Sequence, residues 1–125
     1  MPDIPAISES EWDVMNVLWE ADGPLTAEQV VAAVAGVRDW SPRTVKTLLN
    51  RLINKRALAF EQQGKRYLYR PNISREQCVR HESRSFLSRV FNGAAGPLLV
   101  HFVKQARLSP QEVEELKRLL DQKGK

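Results

Sequence analysis

Arg43, Lys46, Thr47 and Asn50 recur at three- and four-residue intervals in the stretch DWSPRTVKTLLNRL, residues 39–52, with Arg51 at the edge of the same set. On a helix that spacing stacks them along one side. The chemistry open to such a set is recognition of a polyanion. Arginine can bridge the two acceptors of a guanine, asparagine can pair with adenine, and threonine offers a hydroxyl and a methyl to thymine. Any of the cations can instead grip a phosphate, so the residue types leave base reading and phosphate contact undivided. Further on, Lys65 and Arg66 follow a glycine in AFEQQGKRYLYRP, residues 59–71, and place two more cations at a tight turn.

Catalytic chemistry finds less support. The two histidines, His81 and His101, stand apart from any nucleophile elbow, and neither a phosphate-cradling glycine loop nor paired histidines at zinc-ligand spacing occurs. Cys78 and His81 lie three residues apart with Glu82 adjacent, a set that could contribute to a soft-metal site or make the thiol an oxidant sensor. A small apolar-behaving cysteine beside a surface histidine accounts for the same residues. No enzyme activity, cofactor or resident metal is expected.

Charge distribution sharpens the polyanion reading. Residues 1–37 carry seven acids and no Lys or Arg, residues 38–75 balance at +8, and residues 76–125 at +3. The basic block contains both the 39–52 stretch and the turn. Neutralising phosphates releases condensed counterions, so a concentrated positive segment points to nucleic acid. A chain of 125 residues, 42% hydrophobic, can bury a core. No apolar run approaches the ~18 residues of a membrane span, and the lone Cys78 agrees with a reducing compartment. The expectation is a soluble, cytoplasmic protein without direct membrane association.

The elements that must position these residues are announced by their starts. Ser8 precedes Glu11, Thr26 precedes Gln29, Ser74 precedes Gln77 and Ser109 precedes Glu112, each at capping-box spacing. Ser41-Pro42 reads as an N-cap followed by the first helical position. The spacing predicts helices over about 9–21, 27–35 and 42–55. The first carries Trp12, Met15, Leu18 and Trp19 as core positions, and the third turns Val45, Leu48, Leu49 and Leu52 inward. Two β-prone runs meeting at Gln63-Gly64 predict a hairpin. The fold class expected is mainly α with a small β-hairpin: a winged helix-turn-helix over residues 1–73, followed by a helical domain over 74–125. In a winged helix-turn-helix the third helix enters the major groove, the second crosses the backbone and the wing touches phosphate or minor groove.

ISESEWDVMNVLWE, DWSPRTVKTLLNRL and LLVHFVKQARLSPQEVEELKRLL together resemble the penicillinase and methicillin-resistance repressor family (BlaI/MecI type), over Ile7 to about Leu120. The most specific element is W-S-P-R-T-V-x-T-L-x-x-R-L. The resemblance implies a homodimeric transcriptional repressor that binds double-stranded operator DNA of palindromic sequence, with an N-terminal winged helix and a C-terminal helical dimerisation domain. It carries the DNA-contacting role onto Ser41, Arg43, Thr44, Lys46, Thr47, Arg51, Lys65 and Arg66; the spacing itself adds Asn50. It also implies, for many members, a membrane-bound sensor protease that responds to a β-lactam and leads to cleavage of the repressor. In responsive members the cut bond joins Asn to Phe; here the pair at that place is His101-Phe102. The copper-responsive branch carries a C-terminal cysteine cluster, and this chain has none beyond Cys78.

The last third supports a dimer on its own terms. Phe86, Val90, Leu98, Leu99, Phe102, Val103, Val113, Leu116, Leu119 and Leu120 recur at helical spacing, and GAAGP at 93–97 breaks the run. About fifty residues make too small a core to stand alone, since domains below ~40–60 residues usually need outside help. Two copies would bury those faces; folding back on the same chain is the competing reading. A different functional class, a protein-interaction module on the winged-helix scaffold, would favour exposed aromatics on the third helix over Arg, Lys, Thr and Asn. A repressor relieved by a metal or redox signal at Cys78 is the further alternative.

Overall fold

A computed structural model describes residues 4–124. The elements are α1 (Glu9–Glu20), β1 (Leu25–Thr26), α2 (Ala27–Val34), α3 (Pro42–Asn54), β2 (Leu58–Gln63), β3 (Arg66–Pro71), α4 (Arg75–Phe91), α5 (Ala95–Gln105) and α6 (Pro110–Lys123). The chain divides into two compact units, Met1–Ser83 and Arg84–Lys125. The division falls inside α4, beyond the 73/74 boundary read from sequence, because the first turns of α4 bury Cys78 in the same core as Ile73.

All four capping boxes form. The Ser8, Thr26, Ser74 and Ser109 side chains accept from the N3 amides at 3.0–3.2 Å, and the Glu11, Gln29, Gln77 and Glu112 side chains accept from the cap amides at 2.8–2.9 Å. Ser41 caps α3 with Pro42 behind it, as the sequence predicts. The break after α4 is made by Asn92 and Gly93, both at positive φ, and not by the whole of GAAGP. Gly96 and Pro97 lie in the first turn of α5, where amides lack intrahelical partners and proline costs nothing.

The hairpin closes through a two-residue turn, with Gln63 opposite Arg66 and Gly64 at φ +61°. Positive φ at the first central residue alone is the II′ arrangement that suits twisted strands. A third strand, absent from the sequence reading, completes an antiparallel sheet in the order β1-β3-β2, with Leu25 opposite Tyr69 and Thr26 opposite Leu68. Two residues are too few to carry an alternation signal; β1 exists because the α1–α2 connection runs beside the edge of β3.

The core of the first unit joins Val14, Met15 and Leu18 of α1, Val30 and Val34 of α2, and Val45, Leu48, Leu49 and Leu52 of α3 to Leu58, Tyr69 and Ile73. Each fully buried aliphatic side chain contributes ~1.5–3 kcal/mol relative to exposure. Trp12 and Trp19, expected in the core, pack half-buried at its margin, edge to face with centroids 5.4 Å apart. The Trp19 indole N–H donates to the Ile73 carbonyl at 3.0 Å, which explains why that ring stays at the boundary.

One charge lies inside this unit. Glu11 is 1% exposed; its Oε1 accepts from the Ser8 amide and from Lys55 Nζ, while Oε2 has no partner among the described residues. Lys55, the C-cap of α3, also donates to the Ala6 carbonyl at 2.9 Å. The next residue, Arg56, takes φ 64°, and the Arg56 and Ala57 amides return to the Ile53 and Leu52 carbonyls. That Schellman closure ends α3 sharply and sends the chain into β2.

In the second unit none of the described residues is buried. Phe86, Leu98, Val113 and Leu116 are half-buried; Val90, Leu99, Phe102, Val103, Leu119 and Leu120 are exposed. No single helix among the described residues is long and apolar enough to cross a membrane.

Burial pushes the Glu11 carboxyl up, but the Lys55 ammonium and the Ser8 amide and hydroxyl outweigh it, leaving the net value below the ordinary glutamate range. A depressed folded value contributes stability that is present above the unfolded pKa of ~4.3 and lost as pH falls below it. Lys55→Met is expected to cost about 2 kcal/mol at pH 7, less than the ~3–5 of a wholly buried pair because the lysine is partly open to water. Urea titrations at pH 7 and pH 4 check this: the cost should shrink at pH 4, below the unfolded value of ~4.3, and an equal cost at both would count against the pair.

Candidate nucleic-acid interface

The inward face of α3 fixes which residues look outward. With Val45, Leu48, Leu49 and Leu52 buried, Arg43, Thr44, Lys46, Thr47, Asn50 and Arg51 are all exposed, as are Ser41, Lys65 and Arg66. Exposure alone does not make an interface, but the bonding of these side chains separates them from other cations of the basic block. Arg38 is held by Asp13 at 2.8 Å and approaches Glu9 at 3.9 Å, and Lys55 is held by Glu11. Among the described residues, the side chains of Arg43, Lys46, Asn50, Arg51, Lys65 and Arg66 make no hydrogen bond or ion pair. Acids of α1 thus occupy two cations of the block and leave the α3 and wing cations free for a polyanion.

The hydroxyls of the set are committed differently. Ser41 Oγ accepts from the Thr44 amide at 3.2 Å and lies 3.1 Å from Thr44 Oγ1, so these two side chains close the helix start on each other. Thr47 Oγ1 donates to the Arg43 carbonyl at 3.0 Å. With its proton engaged, Thr47 presents a methyl and an acceptor lone pair, a combination suited to the thymine methyl or to a base amino group.

A cleft of about 320 Å³ lies between α3, the N-terminal end of α2 and the wing. It brings together Lys46, Asn50, Lys65 and Arg66 from the sequence-derived set and adds Thr26, Glu28, Tyr67 and Tyr69. Ser41, Arg43, Thr44, Thr47 and Arg51 lie outside it, on the remainder of the exposed surface of α3. Glu28 is the one acid among the cleft residues, and the sequence offered no sign of it, because its place depends on where β1 delivers the start of α2.

The wing carries an aromatic feature that residue counting missed. Phe60 and Tyr67 pack edge to face at 5.2 Å and 88°, and Tyr69 follows at 6.4 Å from Phe60. Opposite pairing in register puts all three on one face of the sheet. Tyr69 is buried, and burial together with the neighbouring Tyr67 phenol pushes its hydroxyl pKa up. Phe60 and Tyr67 remain 49% and 44% exposed, too open to be ordinary core. Alternation in RYLYR was the available signal, and it reads equally well as strand packing.

The soft-metal and redox reading of Cys78 meets an unfavourable setting. The thiol is buried, and burial together with Glu82 pushes its pKa up, away from the thiolate that binds metals or reacts with oxidants. Among the described residues no three His, Cys, Asp or Glu side chains gather where they could hold a metal ion.

Known proteins resemble this chain over most of its length. The profile of the penicillinase repressor family matches residues 7–122. The penicillinase repressor of Bacillus licheniformis is 34% identical over 122 residues, covering 98% of this chain and 94% of that protein. The methicillin resistance regulatory protein MecI of Staphylococcus aureus is 31% identical, covering 94% of both. Among solved structures, the DNA-binding domain of the repressor BlaI superposes with a TM-score of 0.54 at 37% identity, over 60% of this chain and 90% of that one. The monomeric form of B. licheniformis BlaI in complex with the blaP half-operator gives 0.53 at 37%, over 61% and 92%.

Proposed function

Because the chain belongs to the penicillinase repressor family, a family of non-enzymatic transcriptional repressors, we propose that it represses transcription by binding a palindromic operator as a homodimer. Arg43, Lys46, Thr47, Asn50 and Arg51 enter the major groove, and Lys65 and Arg66 hold the flanking backbone. Ser41 and Thr44 set the start of the reading helix and offer their remaining lone pairs to the DNA. The observation that carries the reading is the set of cations and amide on α3 and the wing that no acid among the described residues occupies, four of which (Lys46, Asn50, Lys65 and Arg66) line one cleft. Interaction with another protein is the weaker reading, since the outward surface of α3 is polar and cationic.

The second half of the operator calls for a second copy, since half-sites lie one helical turn, ~34–36 Å, or a multiple apart. The exposed stripe of Val90, Leu99, Phe102, Val103, Leu119 and Leu120 is the face that a second copy covers, with half-buried Phe86, Leu98, Val113 and Leu116 beside it. His101 and Phe102 are both exposed on α5, a helix without buried residues. Opening it locally is therefore inexpensive, which suits a bond cut by a sensor protease. Cutting there removes six of the ten covering residues, from Phe102 onward, and with them the paired grip on DNA.

Three measurements bear on these statements. In a gel-shift titration on DNA from upstream of the protein's own gene, the wild type should prefer that DNA over random competitor and weaken steeply with salt. An Arg43→Ala/Lys46→Ala double variant should lose the preference; equal binding of all DNA by both proteins would remove α3 as the reader. Phe102→Asp, at an exposed position where the fold tolerates change within ~0.5 kcal/mol, should convert a dimer to a monomer in sedimentation equilibrium and lower operator affinity at least tenfold; an unchanged mass would move the interface elsewhere. Incubation with the cognate sensor under inducing conditions, followed by fragment sequencing, should locate a cut between His101 and Phe102, and an intact chain would end the cleavage proposal.

A further inference from the structure

Tyr67 is an exposed aromatic residue of the cleft to which the DNA-binding reading gives no role. It shares the cleft with Lys46 and Asn50 of α3 and with Lys65 and Arg66 of the wing, and it also lines the adjoining hollow of about 210 Å³ formed by Asn50, Ile53 and Phe60. Its ring is held edge-on by Phe60 at 5.2 Å, so its direction is set before any partner arrives. It is 44% exposed, and among the described residues its hydroxyl has no hydrogen-bond partner. A rigid phenol aimed by an aromatic neighbour, among free cations, is a neutral donor beside sites that draw phosphate. Stacking on a base is the other common use of an exposed ring, but it needs an unpaired strand, and an operator is duplex.

We propose that the Tyr67 hydroxyl donates a hydrogen bond to a phosphate of the strand bordering the groove that α3 enters, making Tyr67 an uncharged positioning residue that sets the wing against the DNA. The inference rests on the DNA-binding reading above. Tyrosine hydroxyls are among the groups that contact DNA phosphates, and such contacts fix register and orientation without reading bases. Because Tyr67 is neutral, its contact adds affinity without releasing a counterion. Lys65 differs in this respect: each cation that neutralises a phosphate adds about 0.9 to the slope of log affinity against log salt.

That difference gives the test. Operator affinity is measured from low to moderate salt for the wild type, Tyr67→Phe and Lys65→Ala, using the upstream duplex. Tyr67→Phe keeps the ring and its packing on Phe60, so folding is not at issue. It is expected to bind about 3- to 10-fold more weakly, the range for one lost hydrogen bond, with an unchanged salt slope, while Lys65→Ala lowers the slope by about 1. A second readout uses duplexes with single phosphates replaced by neutral methylphosphonates. One position per half-site should weaken the wild type and leave Tyr67→Phe indifferent, which a merely structural tyrosine would not produce. Wild-type affinity in Tyr67→Phe, or a slope that falls as it does for Lys65→Ala, overturns the proposal while the DNA-binding reading stands. A wild type that does not prefer the upstream duplex removes that reading, and the proposal with it.

Discussion

The rotation of α3 about its own axis is the constraint on which the first unit depends. Val45, Leu48, Leu49 and Leu52 are each 5% exposed or less, and together they seat the helix against α1 and α2. A helix turns by about 100° per residue, so a slip of one residue would bury Lys46 or Asn50 and expose a leucine. Burying an unpaired cation costs far more than a methylene gains, so the seating admits one solution. The outward set follows from it without any further interaction. The Ser41-Pro42 start and the Arg56 closure then fix where that set begins and ends.

Electrostatics divide the work among the cations. The acidic first segment and the basic second one are opposites in sequence, yet they cancel only in part in space. Asp13 and Glu9 of α1 reach Arg38, and buried Glu11 reaches Lys55. These pairs pin the α2–α3 connection and the C-terminal end of α3 to the first helix. They are structural, and they would compete poorly for a phosphate. Of the cations left over, Arg43, Lys46 and Arg51 lie on one helix and Lys65 and Arg66 at one turn, and so the local positive field is stronger there than a net charge of +4 suggests.

The second unit stands in a different balance. Its helices carry good local signals, including the Ser109 capping box and Pro110 at the first position, but none of its described residues reaches burial. Apolar side chains at helical spacing that stay open to water are weakly stabilised by their own chain. The second copy proposed above would supply the surface that these side chains lack.

Much of this was legible in the chain because the deciding interactions are local. Capping boxes span four residues, a helix face repeats within seven, and a glycine turn specifies its hairpin, so α1, α2, α3, α6 and the wing stand where the sequence puts them, within a residue or two. The outward set on α3 was legible for the same reason: burying one face determines the other. The sequence by itself therefore determined the helices and the hairpin, the inward and outward faces of α3, and the family. Tertiary structure decided what depends on distant residues meeting. It paired Lys55 with a glutamate 44 positions earlier, laid Leu25 beside Tyr69 to make β1, brought Glu28 to the cleft between α3 and the wing and left the Tyr67 hydroxyl without a partner among the described residues. No periodicity encodes those meetings, because each is set by how whole elements pack and not by the spacing of residues along one of them.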